Sequence, residues 1–200
     1  MSEGHDIRTL IFKYRSFTPI PFLLLMVWFA RPTLASMILG LFGVIAGEAL
    51  RFWGVSIAGS ETRTTGTVGG TYLITNGPFA HVRNPLYLGN MLIYAGIGIM
   101  SLALFPWLFL VAVAWFYLQY YLIVTREEEY LDATFGAEYA TYCGAVRRFF
   151  PRLRPYLSSR VPDKTVSLRE GLASERRTLQ AVGLVTLALL VLYLLRREGG

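Results

Sequence analysis

Residues 85–125 encode an apolar helical hairpin, PLYLGNMLIYAGIGIMSLALFPWLFLVAVAWFYLQYYLIVT. It contains two stretches, 85–105 and 107–125, each about 30 Å long as a helix at about 1.5 Å per residue. The hydrocarbon core of a bilayer has about that thickness. Only Pro106 separates the two stretches, and so short a break is typical of a tight turn between antiparallel helices. The hairpin therefore predicts two transmembrane helices.

The composition of the whole chain indicates the same environment. Of its 200 residues, 54% are hydrophobic and only 16% are charged, and the mean hydropathy is +0.46. Soluble proteins are nearer a quarter charged, and a soluble domain of this size could not bury so much apolar surface. Disorder, a disulfide scaffold and an ordinary cytosolic enzyme are therefore excluded. One cysteine and two histidines offer no ligand set for zinc or haem, so no metal site is expected.

Three further apolar stretches complete the predicted architecture. Residues 17–30 form a short first span, residues 33–58 form a second, and residues 179–195 form a last span of about 26 Å. Ser167, with Glu170 three residues later, is typical of the start of the helix that contains this last span. We therefore expect an all-α fold, an integral membrane helical bundle of about five transmembrane helices.

Charge predicts the orientation of this bundle. The formal net charge is +6 and the isoelectric point is near 9.6, but the basic residues lie beside apolar spans, where the positive-inside rule and anionic headgroups place them. Nucleic-acid binding is therefore not expected. Residues 59–84 and 126–178 lie on one side if five helices alternate in direction, and the second of these segments holds most of the arginines. That side is expected to be cytoplasmic.

The first candidate site is the sequence GPFAHVRNPLYLG at residues 77–89. Asn84 followed by Pro85 is typical of a helix start, because Asn can cap free amides and Pro at the first helical position loses no hydrogen bond. Arg83 lies beside the positive end of this helix, and Gly89 leaves room for a ligand one turn further on. These residues predict a site for a carboxylate or phosphate. The alternative is a capped helix with Arg83 as a headgroup anchor.

The second candidate site is the acidic run Glu127, Glu128 and Glu129, which follows the fourth apolar stretch. If the helix ends here, acidic side chains oppose its dipole at a cost of about 0.5 kcal/mol each, and a cationic or hydroxyl-rich ligand would compensate them. If the helix continues, the run is a solvated face. Because successive helical residues are about 100° apart, only one or two of the three glutamates can face one pocket.

Other residues are expected to have structural roles. Glu48 and Arg51, three residues apart on the second span, are expected to pair with each other. Gly96 and Gly98 are expected to mark a close approach between helices. Cys143 is expected to be a small packed residue.

The order and spacing of the two candidate sites resemble the isoprenylcysteine carboxyl methyltransferase and phospholipid methyltransferase superfamily of integral membrane enzymes. The resemblance covers roughly residues 73–151. The matching residues are Gly77-Pro78-Phe79, Arg83-x-Pro85-x-Tyr87-x-Gly89, and Glu127-Glu128 followed by Leu131, Phe135, Gly136, Tyr139, Tyr142, Val146, Arg148 and Pro151. The resemblance implies that S-adenosyl-L-methionine is the methyl donor and that a lipophilic or lipid acceptor enters from the bilayer.

Carried over by position, the resemblance implies a cytoplasmic cofactor pocket formed by loop and helix ends. The residues expected to surround the donor are Leu73, Ile74, Phe79, Asn84, Pro85, Leu86, Tyr87 and Glu127. Two further residues are candidates for catalysis. Arg83 would hold the donor or an anionic acceptor, and Glu128, or else His81, would accept the proton of an amine acceptor.

Departures from the family pattern keep alternatives open. Asn84 stands where the family usually has histidine, and Ile123 stands where the prenylcysteine enzymes have arginine, so the resemblance supports methyl transfer more than carboxylate methylation in particular. Membrane sterol reductases, which bind NADPH, have a similar pattern, although Asn90 follows Gly89 here where an acidic residue is typical. A non-catalytic membrane protein of the same fold is the other alternative.

Four regions follow from these interpretations. We expect an amphipathic surface helix at residues 1–16, the first two transmembrane helices at 17–58, a catalytic methyltransferase core with the hairpin at 59–154, and a basic linker with a transmembrane anchor at 155–200. The expected protein is a multi-pass membrane protein in contact with membrane lipids, with its active site on the cytoplasmic face.

Overall fold

The computed structural model describes residues 7–59, 72–157 and 167–198, which contain helices and no strand. The expected all-α class is therefore confirmed. The α-helices are α1 (Ile7–Tyr14), α2 (Pro19–Trp28), α3 (Leu34–Ala58), α4 (Pro85–Ser101), α5 (Trp107–Phe135), α6 (Ala137–Ala145) and α7 (Leu168–Glu198). A short 3₁₀ helix, Gly77–Ala80, precedes α4. Parts of the predicted regions 1–16, 59–154 and 155–200 fall on residues 1–6, 60–71, 158–166 and 199–200, outside the described residues.

Three of the described helices, α3, α5 and α7, are long and apolar enough to cross a membrane. A fourth span results if α1 and α2, which are bent by 54°, are counted together. Helix α4 was expected to span the bilayer but ends at Ser101, after 17 residues, and is shorter than the other spans. The Ser101 hydroxyl accepts a hydrogen bond from the backbone N–H of Ala103, which closes the helix locally. Three to four such helices fit a multi-pass membrane protein.

Helix α5 continues ten residues beyond the predicted end at Thr125. Glu127, Glu128 and Glu129 therefore lie inside the helix, so of the two alternatives the helix continues and the acidic side chains do not oppose its carboxyl end. The helix ends at Phe135, where Gly136 takes a positive φ of 48° that favours glycine. Its length brings the glutamates of α5 into contact with partners from elsewhere in the chain.

The start of α7 is as predicted. The backbone N–H of Glu170 donates to the Ser167 hydroxyl over 3.3 Å, as expected of a capped amino end. The helix then runs without a break to Glu198, so the polar residues before position 179 and the apolar span belong to one helix of 31 residues.

The described residues divide into two compact units. Unit 1 is formed by the described residues within Met1–Gly47, Met91–Ile123 and Thr178–Gly200, and unit 2 by those within Glu48–Asn90 and Val124–Arg177. Within unit 1, α3 and α4 pack backbone against backbone. A Cβ atom added to Gly96 would lie 2.6 Å from the carbonyl oxygen of Gly40 and 2.8 Å from the nitrogen of Val44. The predicted close approach at Gly96 is confirmed.

In unit 2, α7 packs against α3 through small residues. A Cβ atom on Gly171 would lie 2.3 Å from the Ser56 hydroxyl, and the Ser167 N–H donates to the Ser56 carbonyl over 3.0 Å. The glycine therefore lets the first turn of α7 approach the last turns of α3.

An ion pair joins the same two helices. Nε and Nη2 of Arg51 donate to the carboxylate of Glu175 at 2.7 to 3.1 Å, and Nη1 donates to the side-chain oxygen of Asn90. The predicted pair of Glu48 with Arg51 is therefore wrong. Both carboxylate oxygens of Glu48 are buried without a hydrogen-bond partner among the described residues. The reason is that α7 supplies Glu175, whose side chain is 2% exposed and matches the guanidinium in a bidentate contact.

Candidate active site

A network of two arginines and one glutamate lies in unit 2. Oε1 of Glu128 lies 3.0 Å from Nη2 of Arg83 and 3.1 Å from Nε of Arg148, and Oε2 accepts a second hydrogen bond from Arg148. Arg83 precedes α4, Glu128 lies on α5 and Arg148 follows α6. The side chains of Arg83 and Glu128 are only 13% and 14% exposed, so the network is largely shielded. Two guanidinium groups and one carboxylate leave a formal positive charge.

The position of Arg148 is set by backbone contacts with the first candidate motif. The N–H of Arg83 donates to the carbonyl of Arg147 over 3.0 Å. The side-chain amide of Asn84 donates to the carbonyl of Arg148 over 3.3 Å. Asn84 therefore links the start of α4 to the segment that follows α6 through a hydrogen bond. The helix-capping pattern in the sequence does not predict this long-range contact.

A second polar contact joins α4 to α5. The Tyr87 hydroxyl donates to Oε1 of Glu127 over 2.6 Å. Tyr87 is three residues before Asn90 on α4, and Glu127 is next to Glu128 on α5. Both tyrosine and carboxylate are half-buried, while Glu129 is exposed. Of the three glutamates, Glu127 and Glu128 therefore each bind a residue of the first candidate motif.

An aromatic cluster supports the loop before the 3₁₀ helix. Leu73, Tyr139, Tyr142 and Val146 are buried together, and Cys143 packs against them as expected. The Tyr142 hydroxyl donates to the carbonyl of Phe79 over 2.6 Å. Burial raises the pKa of the Tyr139 and Tyr142 hydroxyls above the ordinary tyrosine value. Both therefore remain neutral donors over the physiological range.

Between residues 72 and 89, three buried polar side-chain atoms lack a hydrogen-bond partner among the described residues: Arg83 Nε, Thr75 Oγ1 and Asn76 Oδ1. The family resemblance implies Leu73 and Ile74 in this loop as site residues but not Thr75 and Asn76. Their signal is burial of a polar side chain, which becomes visible only once the fold places the loop inside unit 2.

All ten of the residues predicted for the site lie in unit 2, but they take different positions. Leu73 is buried in the aromatic cluster, and Ile74 beside it is half-buried. Phe79 contributes its backbone carbonyl to Tyr142. Pro85 begins α4 and is buried, and Leu86 packs against α3, where a Cβ atom on Gly54 would lie 2.9 Å from it. The polar candidates Arg83, Asn84, Tyr87, Glu127 and Glu128 form the hydrogen-bonded contacts described above.

A family model described as phospholipid methyltransferase matches residues 35–138, just over half of the chain. The chain belongs to the phospholipid methyltransferase family. The matched region of this family member contains Arg83, Tyr87, Glu127 and Glu128. Arg148 and Glu175 lie beyond it, so two of the ion-pair partners come from outside the region that defines the family.

A curated relative of this family member is the cobalt-zinc-cadmium resistance protein CzcN of Cupriavidus metallidurans. The two are 35% identical over 121 residues, which is 59% of this chain and 50% of the relative. The chain therefore spans about half the length of the curated relative that it matches. No solved structure matches the chain.

Proposed function

We propose that this protein transfers a methyl group from S-adenosylmethionine to a lipophilic acceptor that reaches unit 2 from the membrane. Membership of the phospholipid methyltransferase family supports methyl transfer as the reaction class. The apolar helices α3, α5 and α7 support an acceptor that is itself dissolved in the bilayer. The donor site would lie on the cytoplasmic face, in agreement with the arginine-rich segment 126–178.

One observation carries the proposal: the two motifs that the resemblance singles out meet in one unit. Arg83 and Tyr87, from the start of α4, contact the neighbouring residues Glu128 and Glu127 on α5. The contacts lie across 40 residues or more of sequence. A chain that used the first motif only as a helix cap, and the second only as a solvated face, would not need them in contact.

The unsatisfied polar atoms fit a donor of this chemistry. Buried polar groups are normally hydrogen-bonded, so Arg83 Nε, Thr75 Oγ1 and Asn76 Oδ1 indicate that a polar partner belongs here. S-adenosylmethionine combines a carboxylate with an amine, a sulfonium and ribose hydroxyls, and when bound it supplies the electrophilic methyl group. The presence of an unpaired donor beside unpaired hydroxyl and amide oxygens supports this choice of donor.

Each polar residue has a distinct proposed task. The net positive charge at Arg83 and Arg148 would bind the carboxylate end of the donor. Glu127, oriented by the Tyr87 hydroxyl, would bind its amine or ribose hydroxyls. These contacts would align the donor with the acceptor and exclude water, which is the main contribution expected of the protein.

Glu128 remains the candidate base if the acceptor is an amine. Both of its oxygens are occupied by guanidinium groups, so it could take a proton only after one ion pair opens. A carboxylate acceptor would need no base. The chemical class of the acceptor can therefore be identified from the methylated product.

The direct test uses the purified full chain in nanodiscs made with a total bacterial lipid extract. S-adenosylmethionine with a labelled methyl group is added, lipids are extracted, and the labelled product is identified by mass spectrometry. We expect label in the lipid fraction with the wild type. We expect at least a tenfold lower rate for Glu127→Gln, because a charged hydrogen-bond partner contributes about 1.5–3 kcal/mol.

Glu129→Gln is the matched control. This variant also replaces a glutamate of α5 with glutamine, but the side chain of Glu129 is exposed and lies two residues after Glu127. Its rate should stay within about twofold of the wild type, as expected of a surface substitution. Absence of label from every lipid product of the wild type, or equal rates for the two variants, would reject the proposal.

A further inference from the structure

Residues 147–157, RRFFPRLRPYL, form a non-helical segment after α6 that is fixed to unit 2 by its backbone. The N–H of Arg152 donates to the carbonyl of His81 over 2.9 Å, and the N–H of Tyr156 donates to the carbonyl of Ala80 over the same distance. Nδ1 of His81 donates to the carbonyl of Arg152 over 2.9 Å. The segment therefore has a defined course without belonging to a helix or strand.

Large apolar side chains project from this segment. Leu153 is 98% exposed, Leu157 is 87% exposed and Phe150 is 68% exposed. These residues lie outside the helices that can cross the membrane. Contact between a transmembrane helix and lipid tails therefore does not explain why these apolar side chains are exposed. A fixed backbone that presents several large apolar side chains indicates a binding surface.

Arginines alternate with the apolar side chains. Arg147 and Arg154 are exposed, and the contact of Arg147 with Arg83 uses its backbone carbonyl and not its guanidinium. Alternating arginine and apolar residues are typical of segments that lie in a membrane interface, where the apolar groups enter the acyl boundary and the cations meet phosphates. Guanidinium groups bind phosphate oxygens in a bidentate manner.

We propose that residues 147–157 are a membrane-surface segment that binds anionic phospholipid headgroups. Phe150, Leu153 and Leu157 enter the boundary between headgroups and acyl chains. Arg147 and Arg154 bind the phosphates of anionic lipids. Charge complementarity and the presence of membrane-spanning helices in the same chain select a lipid surface over a protein partner. The proposal goes beyond methyl transfer and does not depend on it.

The test places a fluorescent label at position 153. Cys143 is the only cysteine, so a Cys143→Ala, Leu153→Cys variant carries one nitrobenzoxadiazole label. The labelled protein is placed in nanodiscs of equal parts phosphatidylcholine and phosphatidylglycerol, and a spin-labelled form of either lipid is used as quencher. We expect quenching by both lipids, with spin-labelled phosphatidylglycerol the stronger quencher.

The arginines should account for the preference. Each arginine that reaches an anionic headgroup should favour that lipid over phosphatidylcholine about fivefold, which is equivalent to about 1 kcal/mol. Adding Arg147→Gln and Arg154→Gln should remove most of the difference between the two quenchers and leave quenching by phosphatidylcholine in place. High salt should reduce the preference of the unmodified segment in the same way.

A label at Thr141 is the matched control, because it is exposed on α6 and belongs to the same unit. It should be quenched less than the label at position 153 and should show no lipid preference. If neither lipid quenches the label at position 153, the segment faces water or another protein and the proposal is wrong. Equal quenching by the two lipids at low salt would overturn the headgroup assignment.

Discussion

Arg83 and Glu128 form an ion pair at 3.0 Å, and this pair joins the start of α4 to the polar part of α5. Arg148 completes the network from the other side of the carboxylate. The two residues of this pair, at positions 83 and 128, belong to different sequence motifs and are 45 residues apart. The position of one carboxylate between two guanidinium groups is the geometric basis of the donor site that we propose.

Arg148→Gln tests the part of the network that lies outside the family match. Removing this guanidinium should lower affinity for S-adenosylhomocysteine about tenfold, since charge-assisted contacts contribute about 1.5–3 kcal/mol. Isothermal titration calorimetry in detergent measures the change. Arg147→Gln is the control, because only the backbone of Arg147 contacts Arg83. Equal affinities for the two variants would remove Arg148 from the donor site.

Tyr87→Phe deletes only the hydroxyl that donates to Glu127. A carboxylate that loses this donor should be less well oriented, and we expect donor affinity to fall about five- to tenfold, with little change in thermal stability. Calorimetry with S-adenosylhomocysteine measures the first effect and thermal unfolding the second. Tyr130→Phe, on a half-buried tyrosine of α5, serves as the comparison. A large loss of stability with unchanged affinity would instead assign Tyr87 a purely structural role.

Glu175→Gln tests whether α7 does more than anchor the chain. The substitution leaves the Arg51 guanidinium partly buried beside a neutral partner, and breaking a buried pair costs about 3–5 kcal/mol. We expect a clear drop in the unfolding temperature in detergent. Glu170→Gln, on an exposed residue of the same helix, should change it little. The double variant Arg51→Glu, Glu175→Arg exchanges the two charges and should recover part of the lost stability. Equal unfolding temperatures for Glu175→Gln and Glu170→Gln would contradict a stabilising role for the Arg51–Glu175 ion pair.

The buried tyrosines predict how stability depends on alkaline pH. Burial raises the pKa of Tyr142 in the folded protein, while the unfolded chain titrates near the ordinary value of 10.0. Above about pH 10 the unfolded state therefore binds fewer protons than the folded state, and the free energy of unfolding falls as pH rises. Below about pH 10 the Tyr142 hydroxyl is protonated in both states, so its full contribution to the free energy of unfolding is retained. Thermal unfolding over the alkaline range should show the decline, and Tyr142→Phe should make it shallower; an unchanged slope in the variant would exclude Tyr142 as its source.

Local signals predicted most of the helices. Pro85 and Ser167 mark the starts of α4 and α7, because proline geometry and hydroxyl capping act within one turn. The predicted contact at Gly96 also follows from a single small residue in an apolar helix. The end of α5 was missed, since the polar residues after Thr125 interrupt the apolar run although the helix continues through them.

Partners that are distant in sequence could not be predicted in the same way. Helical spacing favours Glu48 for Arg51, yet the observed partner is Glu175, 124 residues away. Nothing in the periodicity of α3 or α7 encodes that pairing, because a long-range ion pair depends on how the helices pack. Thr75 and Asn76 were missed for a similar reason, as only the folded loop buries them. The sequence motifs therefore identified candidate residues by their position in the chain. They could not identify residues such as Thr75 and Asn76, whose burial depends on the fold.

Binding of S-adenosylhomocysteine to the purified wild type, measured by isothermal titration calorimetry with NADPH in a parallel titration, decides whether the proposed donor site exists. We predict saturable, one-site binding of S-adenosylhomocysteine that Glu127→Gln weakens at least tenfold and Glu129→Gln leaves unchanged, and no binding of NADPH. Saturable binding of NADPH with none of S-adenosylhomocysteine, or no binding of either, would contradict the account.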